Sequence, residues 1–197
     1  MMKAVFIALL ACAFIVICAS SGCKKKTIER KFTQAERSLI VKTHNSLRKS
    51  LEKGQVKEQP RAAKMKRLKW DARLAKQAQK IADTCKFKHV PVKDVRWAVG
   101  QNLFKLSSTD HIKGINVTEA IYAWFNEHEL YTYPHYTKES GHYTQVVWAN
   151  TKYVGCGYTF YKAGGKFKYQ KLLVCNYGPA GNVQGYAPYK PWSRHEN

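Results

Sequence analysis

The chain has 197 residues, 34 Lys and Arg against 13 Asp and Glu, and a formal charge of +21. That length fits one domain, and 45% hydrophobic with 13% aromatic residues suffices for a core, which excludes a disordered basic tail. A single long apolar run excludes a multi-span membrane protein, while the charge leaves nucleic acid, an anionic glycan or lipid surface, and an acidic protein open as partners.

Lys3 precedes an apolar run over residues 4–17, followed by the small residues Ala19, Ser20, Ser21 and Gly22. A basic start, a short apolar stretch and a small-residue exit predict a secretory signal peptide over residues 1–21. The alternative, an uncleaved anchor, needs about 20 apolar residues, more than this run supplies. Residues 22–197 then form the mature chain, a single extracellular domain that keeps nearly all of the positive charge. Secretion demotes nucleic acid, and no zinc-finger spacing, RNP-like run or basic zipper is present. Basic clusters at residues 24–26, 30–31 and 61–69 suit a sulfated glycan or an anionic membrane surface, or simply a solvated cationic face.

Thr33-Gln34-Ala35-Glu36 fits a capping box and opens a first helix, with Leu39, Ile40, Leu47 and Leu51 at helical spacing and Gly54 to close it. His44 falls one turn after Ile40, which predicts a packed, hydrogen-bonded imidazole on the inward face. After a polar connector over residues 55–69, Trp70-Asp71 starts a second helix, capped by Asp71 and carrying the narrow stripe Leu74, Ala75, Ala78 and Ile81 towards Cys85. A third helix begins near residues 116–118, with Ile121, Trp124, Phe125 and His128 at helical spacing. Asn116-Val117-Thr118 is also an N-glycosylation sequon.

A short segment, residues 143–148, follows Gly141-His142. The β-rich runs 153–161 and 168–177, separated by Ala163-Gly164-Gly165-Lys166, read as a hairpin. Outside the predicted signal the cysteines are Cys23, Cys85, Cys156 and Cys175, an even count that gives two disulfides in one of three pairings. The hairpin brings Cys156 and Cys175 within bridging range, and Cys23 then ties the N-terminal segment to Cys85. A metal-thiolate site is the weaker reading, because no CxxC pair exists. The chain reads as one α+β domain with helices early and a hairpin late.

Three segments carry a resemblance. Gly141-His142-Tyr143-Thr144-Gln145-Val146-Val147-Trp148, the run from Val174 through Cys175-Asn176-Tyr177 to Asn182, and Thr43-His44-Asn45-Ser46-Leu47-Arg48 resemble the GHYTQVVW, CNYxPxGN and HNxxR motifs of the CAP superfamily. That superfamily comprises the cysteine-rich secretory proteins, antigen 5 and pathogenesis-related 1. The resemblance implies an α-β-α sandwich with a central antiparallel sheet between helical layers. It also implies an open cleft with two histidines and two glutamates, sometimes holding a divalent metal. By motif position the histidines are His89 and His142 and one glutamate is Glu127. The other falls at Gln101, an amide in place of the common carboxylate, which resembles the antigen 5 branch of insect venoms and blood-feeder saliva. An N-terminal cysteine paired with Cys85 fits that branch as well.

Two imidazoles, His89 and His142, suit Zn²⁺ or Cu²⁺, with Gln101 and Glu127 behind them. Gln101 removes one negative charge and one general base, which weakens both metal binding and catalysis. The alternative is that the four form a hydrogen-bonded network that holds the cleft together. The favoured expectation is a secreted, non-enzymatic venom or salivary effector. Its ligand would be a hydrophobic small molecule such as a sterol or fatty acid, a divalent metal, or an extracellular host protein. The competing one is a metal-dependent hydrolytic or redox enzyme using His89, His142 and Glu127, with Glu127 as its weak catalytic candidate.

Overall fold

The computed structural model describes residues 27–194. The predicted signal segment and Cys23, with its expected bridge to Cys85, lie outside the described residues.

The capping box forms as the sequence predicts. Glu36 N–H donates to Thr33 Oγ1 (3.2 Å) and Thr33 N–H donates to the Glu36 carboxylate (2.7 Å), opening helix α1, Gln34–Glu52. Gly54, at φ +70°, closes it: Gln55 N–H bonds Ser50 O and Gly54 N–H bonds Leu51 O, a pairing that needs a left-handed residue after the cap. The buried face carries Ile40, Leu47 and Leu51, but also Thr43, His44 and Arg48, whereas Leu39 is 43% exposed. Periodicity placed Leu39 on the stripe. The true inward face is rotated towards polar side chains that have partners elsewhere.

Strand β1, Thr27–Arg30, precedes α1; β2, Lys69–Trp70, leads into α2, Ala72–Ala82. Asp71 caps α2 by accepting from Leu74 N–H (2.8 Å), and the helix ends before Cys85, three residues short of the predicted reach. Strand β3 is Gly100–Ser108. Helix α3, Val117–Asn126, is capped by the Asn116 side-chain oxygen, which accepts from Glu119 N–H (3.1 Å). His128 belongs to a following 3₁₀ turn, Glu127–Leu130. Helix α4, Gly141–Val146, precedes the hairpin strands β4, Tyr153–Lys162, and β5, Tyr169–Gly178.

The sheet runs β1-β4-β5-β3 with antiparallel pairing, and β2 adds a short parallel pair to β4. Strand alternation divides the core in two. Val154, Cys156, Tyr158 and Phe160 of β4 and Leu173, Cys175 and Tyr177 of β5 face α1, α3 and α4. Tyr161, Leu172, Val174 and Leu103 face α2. This is the α-β-α sandwich. Cys156 and Cys175 stand opposite in register and are bridged, with Cα atoms 4.1 Å apart. Helix α2 rides directly on Gly155 and Gly157, where any Cβ would strike the backbone of Asp71, Ala75 and Gln79. The two glycines therefore set that layer spacing.

Candidate functional site

The HNxxR segment of α1 is structural wiring. His44 is fully buried; its Nδ1 sits 2.8 Å from Ile40 O and its Nε2 2.9 Å from the Tyr177 hydroxyl. Asn45 clamps Leu68 by donating to its carbonyl (3.0 Å) and accepting from its N–H (2.8 Å). Arg48, also fully buried, donates to the carbonyls of Lys66, Val146, Trp148, Ala149 and Thr151. One guanidinium thus ties α1 to the end of α4 and the chain that follows. Burial, reinforced by nearby Arg67, lowers its pKa to about 10.

The two remaining motifs interlock. Gln145 Oε1 accepts from Gly181 N–H (2.9 Å), while Thr144 Oγ1 donates to Asn182 Oδ1 (2.7 Å) and Asn182 Nδ2 donates to Gly141 O (2.8 Å).

Glu127 accepts at both carboxylate oxygens. Oε1 lies 2.6 Å from His142 Nδ1, and Oε2 takes the N–H groups of His142 (2.9 Å) and Tyr143 (3.3 Å) at the start of α4. Its charge satisfies helix-terminal donors that would otherwise be unpaired. His142, half-buried, stacks on Trp124 with ring centroids 6.1 Å apart. His89, on the exposed loop after α2, pairs with Gln101: Nδ1 to Oε1 is 3.0 Å. Gln101 also accepts from Val90 N–H and donates to Val90 O (3.2 Å) and Asn176 Oδ1 (3.0 Å).

These contacts distribute the four cleft residues into two pairs. Gln101 and Asn176 lie on the α2 side of the sheet, since Asn176 Nδ2 donates to Leu74 O (3.3 Å). The next residue, Asn102, points to the other side, donating to His142 O (3.1 Å) and the Tyr177 hydroxyl (3.5 Å). Adjacent residues of β3 therefore join the His89–Gln101 and His142–Glu127 pairs. Asn102, Asn176 and Tyr177 were not among the predicted site residues. The signal available was Asn176, a polar residue inside the buried run of β5.

Each histidine has Nδ1 engaged, the orientation in which Nε2 would be the nitrogen to meet a metal. Among the described residues, however, no group of three or more His, Cys, Asp or Glu is placed to hold a metal ion. A catalytic Zn²⁺ site typically takes three protein ligands. The donor set fits an open site at most, with imidazoles as its only strong ligands.

The model of the cysteine-rich secretory protein family matches residues 41–177. The chain belongs to this CAP family. Among its relatives are venom allergen 3 of Solenopsis invicta, 40% identical over 174 residues that cover 81% of this chain and 74% of the relative. Salivary antigen-5 of Triatoma infestans is 35% identical, covering 82% and 74%. The solved structure of BmVAL-1 superposes with a TM-score of 0.71 at 25% identity, covering 87% of each chain. The relatives place the CAP chain in the antigen 5-like branch.

A second feature of this CAP domain lies away from those pairs. Between α1 and α3 is an open cavity of about 690 Å³. Buried Leu47, Val56 and Phe125 give it apolar walls, exposed Tyr122 lies at its edge, and Ser46, Ser50, Gln55, Lys57, Glu58, His128 and Glu129 supply polar and charged groups of both signs. His128 packs edge-on against Phe125 and Tyr143, and its Nδ1 is buried without a hydrogen-bond partner. Sequence reading found no such lining, because it combines one face each of two helices with the 55–58 turn.

Proposed function

We propose that the protein is a secreted, non-enzymatic binder that sequesters a hydrophobic small molecule, of fatty-acid or sterol type, in the groove between α1 and α3. The single observation carrying this reading is the groove itself. Its volume falls within the roughly 300–1,000 Å³ of small-molecule sites, and Leu47, Val56 and Phe125 form an apolar floor beneath a polar, charged rim. His128 offers hydrogen bonding to the polar end of an amphipathic ligand, and Lys57, which pairs with Glu58 at 3.3 Å, offers a charge that a ligand carboxylate would compete for. The salivary and venom relatives support an extracellular setting and a role as an effector. Glu127 supports the same reading from the opposite direction, since both its oxygens are spent on His142 and the start of α4 rather than held ready as a base.

The test is native mass spectrometry and organic extraction of the purified full chain, followed by titration with palmitate and cholesterol. A co-purifying lipid or saturable binding is the expected result. Absence of both overturns the proposal.

A further inference from the structure

The outer end of the β4–β5 hairpin gathers features that neither the motifs nor the groove use. Ala163 N–H bonds Lys168 O (2.7 Å) and closes the loop. Gly165 sits at φ +86°, and both Gly164 and Gly165 face open space, so the tip protrudes. It carries Lys162, Lys166, Phe167 and Lys168, with Phe167 47% exposed and the Lys166 ammonium 5.8 Å from its ring centroid. The loop after β3 joins the same end, because His111 packs on Tyr169 (5.0 Å) and Phe160 (5.4 Å). Beside His111 stand Ile112, 61% exposed, and Lys113. Thr27 pairs with Tyr161 in antiparallel register, so β1 begins at this end. Asp110, Glu29 and Glu119 are the acidic groups near this end; Glu29 accepts from Gly114 N–H, and Glu29 and Glu119 both face Lys171, whose ammonium lies 5.3 Å from the Phe160 ring.

We propose that this hairpin tip is a membrane-docking site, in which Phe167 and Ile112 enter the interface of an anionic bilayer while the surrounding lysines contact its headgroups. A sulfated glycan would use the lysines but has no use for two protruding apolar side chains. A bilayer uses both. No helix among the described residues is long and apolar enough to cross a membrane, so the contact is peripheral. The site is separate from the α1–α3 groove and stands or falls independently of it.

The experiment is co-sedimentation of the full chain with vesicles of phosphatidylcholine alone and of phosphatidylcholine with roughly a fifth phosphatidylserine. Binding is expected only to the anionic vesicles. Phe167→Ala should weaken it roughly tenfold or more, and Lys166→Gln/Lys168→Gln by roughly thirtyfold. A Phe167→Trp variant should show quenching by brominated lipid above the wild-type tryptophan background. The substituted side chains are exposed, and unchanged thermal unfolding will verify that the variants are folded. No binding, or binding indifferent to these substitutions, overturns the proposal. So does loss with the lysine variant alone, without lipid quenching; retained heparin affinity with that same lysine dependence would mark a glycan surface instead.

Discussion

His44 Nε2 lies 2.9 Å from the hydroxyl of Tyr177, joining the middle of α1 to β5 across the core. The partners fix the tautomer. Ile40 O can only accept, so Nδ1 carries the proton and donates (2.8 Å), and Nε2 accepts from Tyr177 O–H. A proton added at Nε2 would confront that hydroxyl in a site with no solvent. Burial lowers the His44 pKa from 6.5 to about 4, the Ile40 hydrogen bond partly opposing the shift and Arg48 adding to it. Burial likewise holds the proton on Tyr177.

The first prediction concerns pH. His44 is neutral in the fold but protonates near 6.5 when unfolded, so the unfolded state binds the extra proton between pH 6.5 and about 4. Stability is fully present above pH 6.5 and falls as the pH drops through that window, by about 3 kcal/mol from this group alone. An NMR titration of the ring should find His44 uncharged at pH 5. A midpoint near 6.5 would show that the imidazole is not sealed as described.

Arg48 gives the second. Removing its guanidinium leaves carbonyls of Lys66, Val146, Trp148, Ala149 and Thr151 without their buried donor, and each unsatisfied group costs about 1–3 kcal/mol. Arg48→Met should therefore destabilise by roughly 3–5 kcal/mol or prevent folding. Arg48→Lys keeps the charge but cannot span carbonyls on both sides, and should lose more than half as much. Urea unfolding of the two variants checks both values. A loss below about 1 kcal/mol for Arg48→Met would contradict the role assigned to it.

Helix caps and the hairpin were legible in the sequence because each is decided locally: Thr33 with Glu36, Asp71 with Leu74, and the Gly-Gly turn between two β-rich runs. Strands β1 and β3 were not. They lie at the sheet margins, and Gly100–Ser108 mixes Gln101, Asn102, Lys105 and Ser107 into a run whose alternation is visible only once β5 is beside it. Leu39 failed for a related reason. Spacing one turn after Ile40 did place His44 inward, but hydrophobicity alone cannot register that Arg48 shares that face, because its partners in and after α4 lie some hundred residues away. Motif position named His89, Gln101, Glu127 and His142 as candidates, but the backbone decides that adjacent residues of β3 divide them into two pairs.

Gln101 yields the third prediction. Gln101→Glu replaces a donor to Val90 O and Asn176 Oδ1 with an acceptor, turning two hydrogen bonds into oxygen–oxygen repulsions. The cost should be about 1–3 kcal/mol at pH 7, read as a drop of a few degrees in Tm. The same change adds a carboxylate beside His89 and should strengthen Zn²⁺ binding measured by calorimetry. His89→Ala/His142→Ala should abolish whatever binding the wild type has. Zn²⁺ affinity that survives the double substitution would locate the metal elsewhere.

The last prediction separates the groove from the cleft. Ser46 lines the α1–α3 cavity beside Leu47 and is exposed, so a larger side chain there can occupy the cavity without displacing core atoms. Ser46→Phe should reduce palmitate binding at least tenfold, since the occupied volume is the volume the ligand needs. Its effect on stability should stay within about 0.5 kcal/mol, because exposed helix positions away from caps and core tolerate substitution. His142→Ala should do the reverse: it removes the imidazole held by Glu127 and stacked on Trp124 and lowers stability, yet leaves palmitate affinity unchanged. Equal loss of palmitate binding in both variants would mean that the ligand reaches the cleft as well. Unchanged binding in Ser46→Phe would remove the groove from consideration.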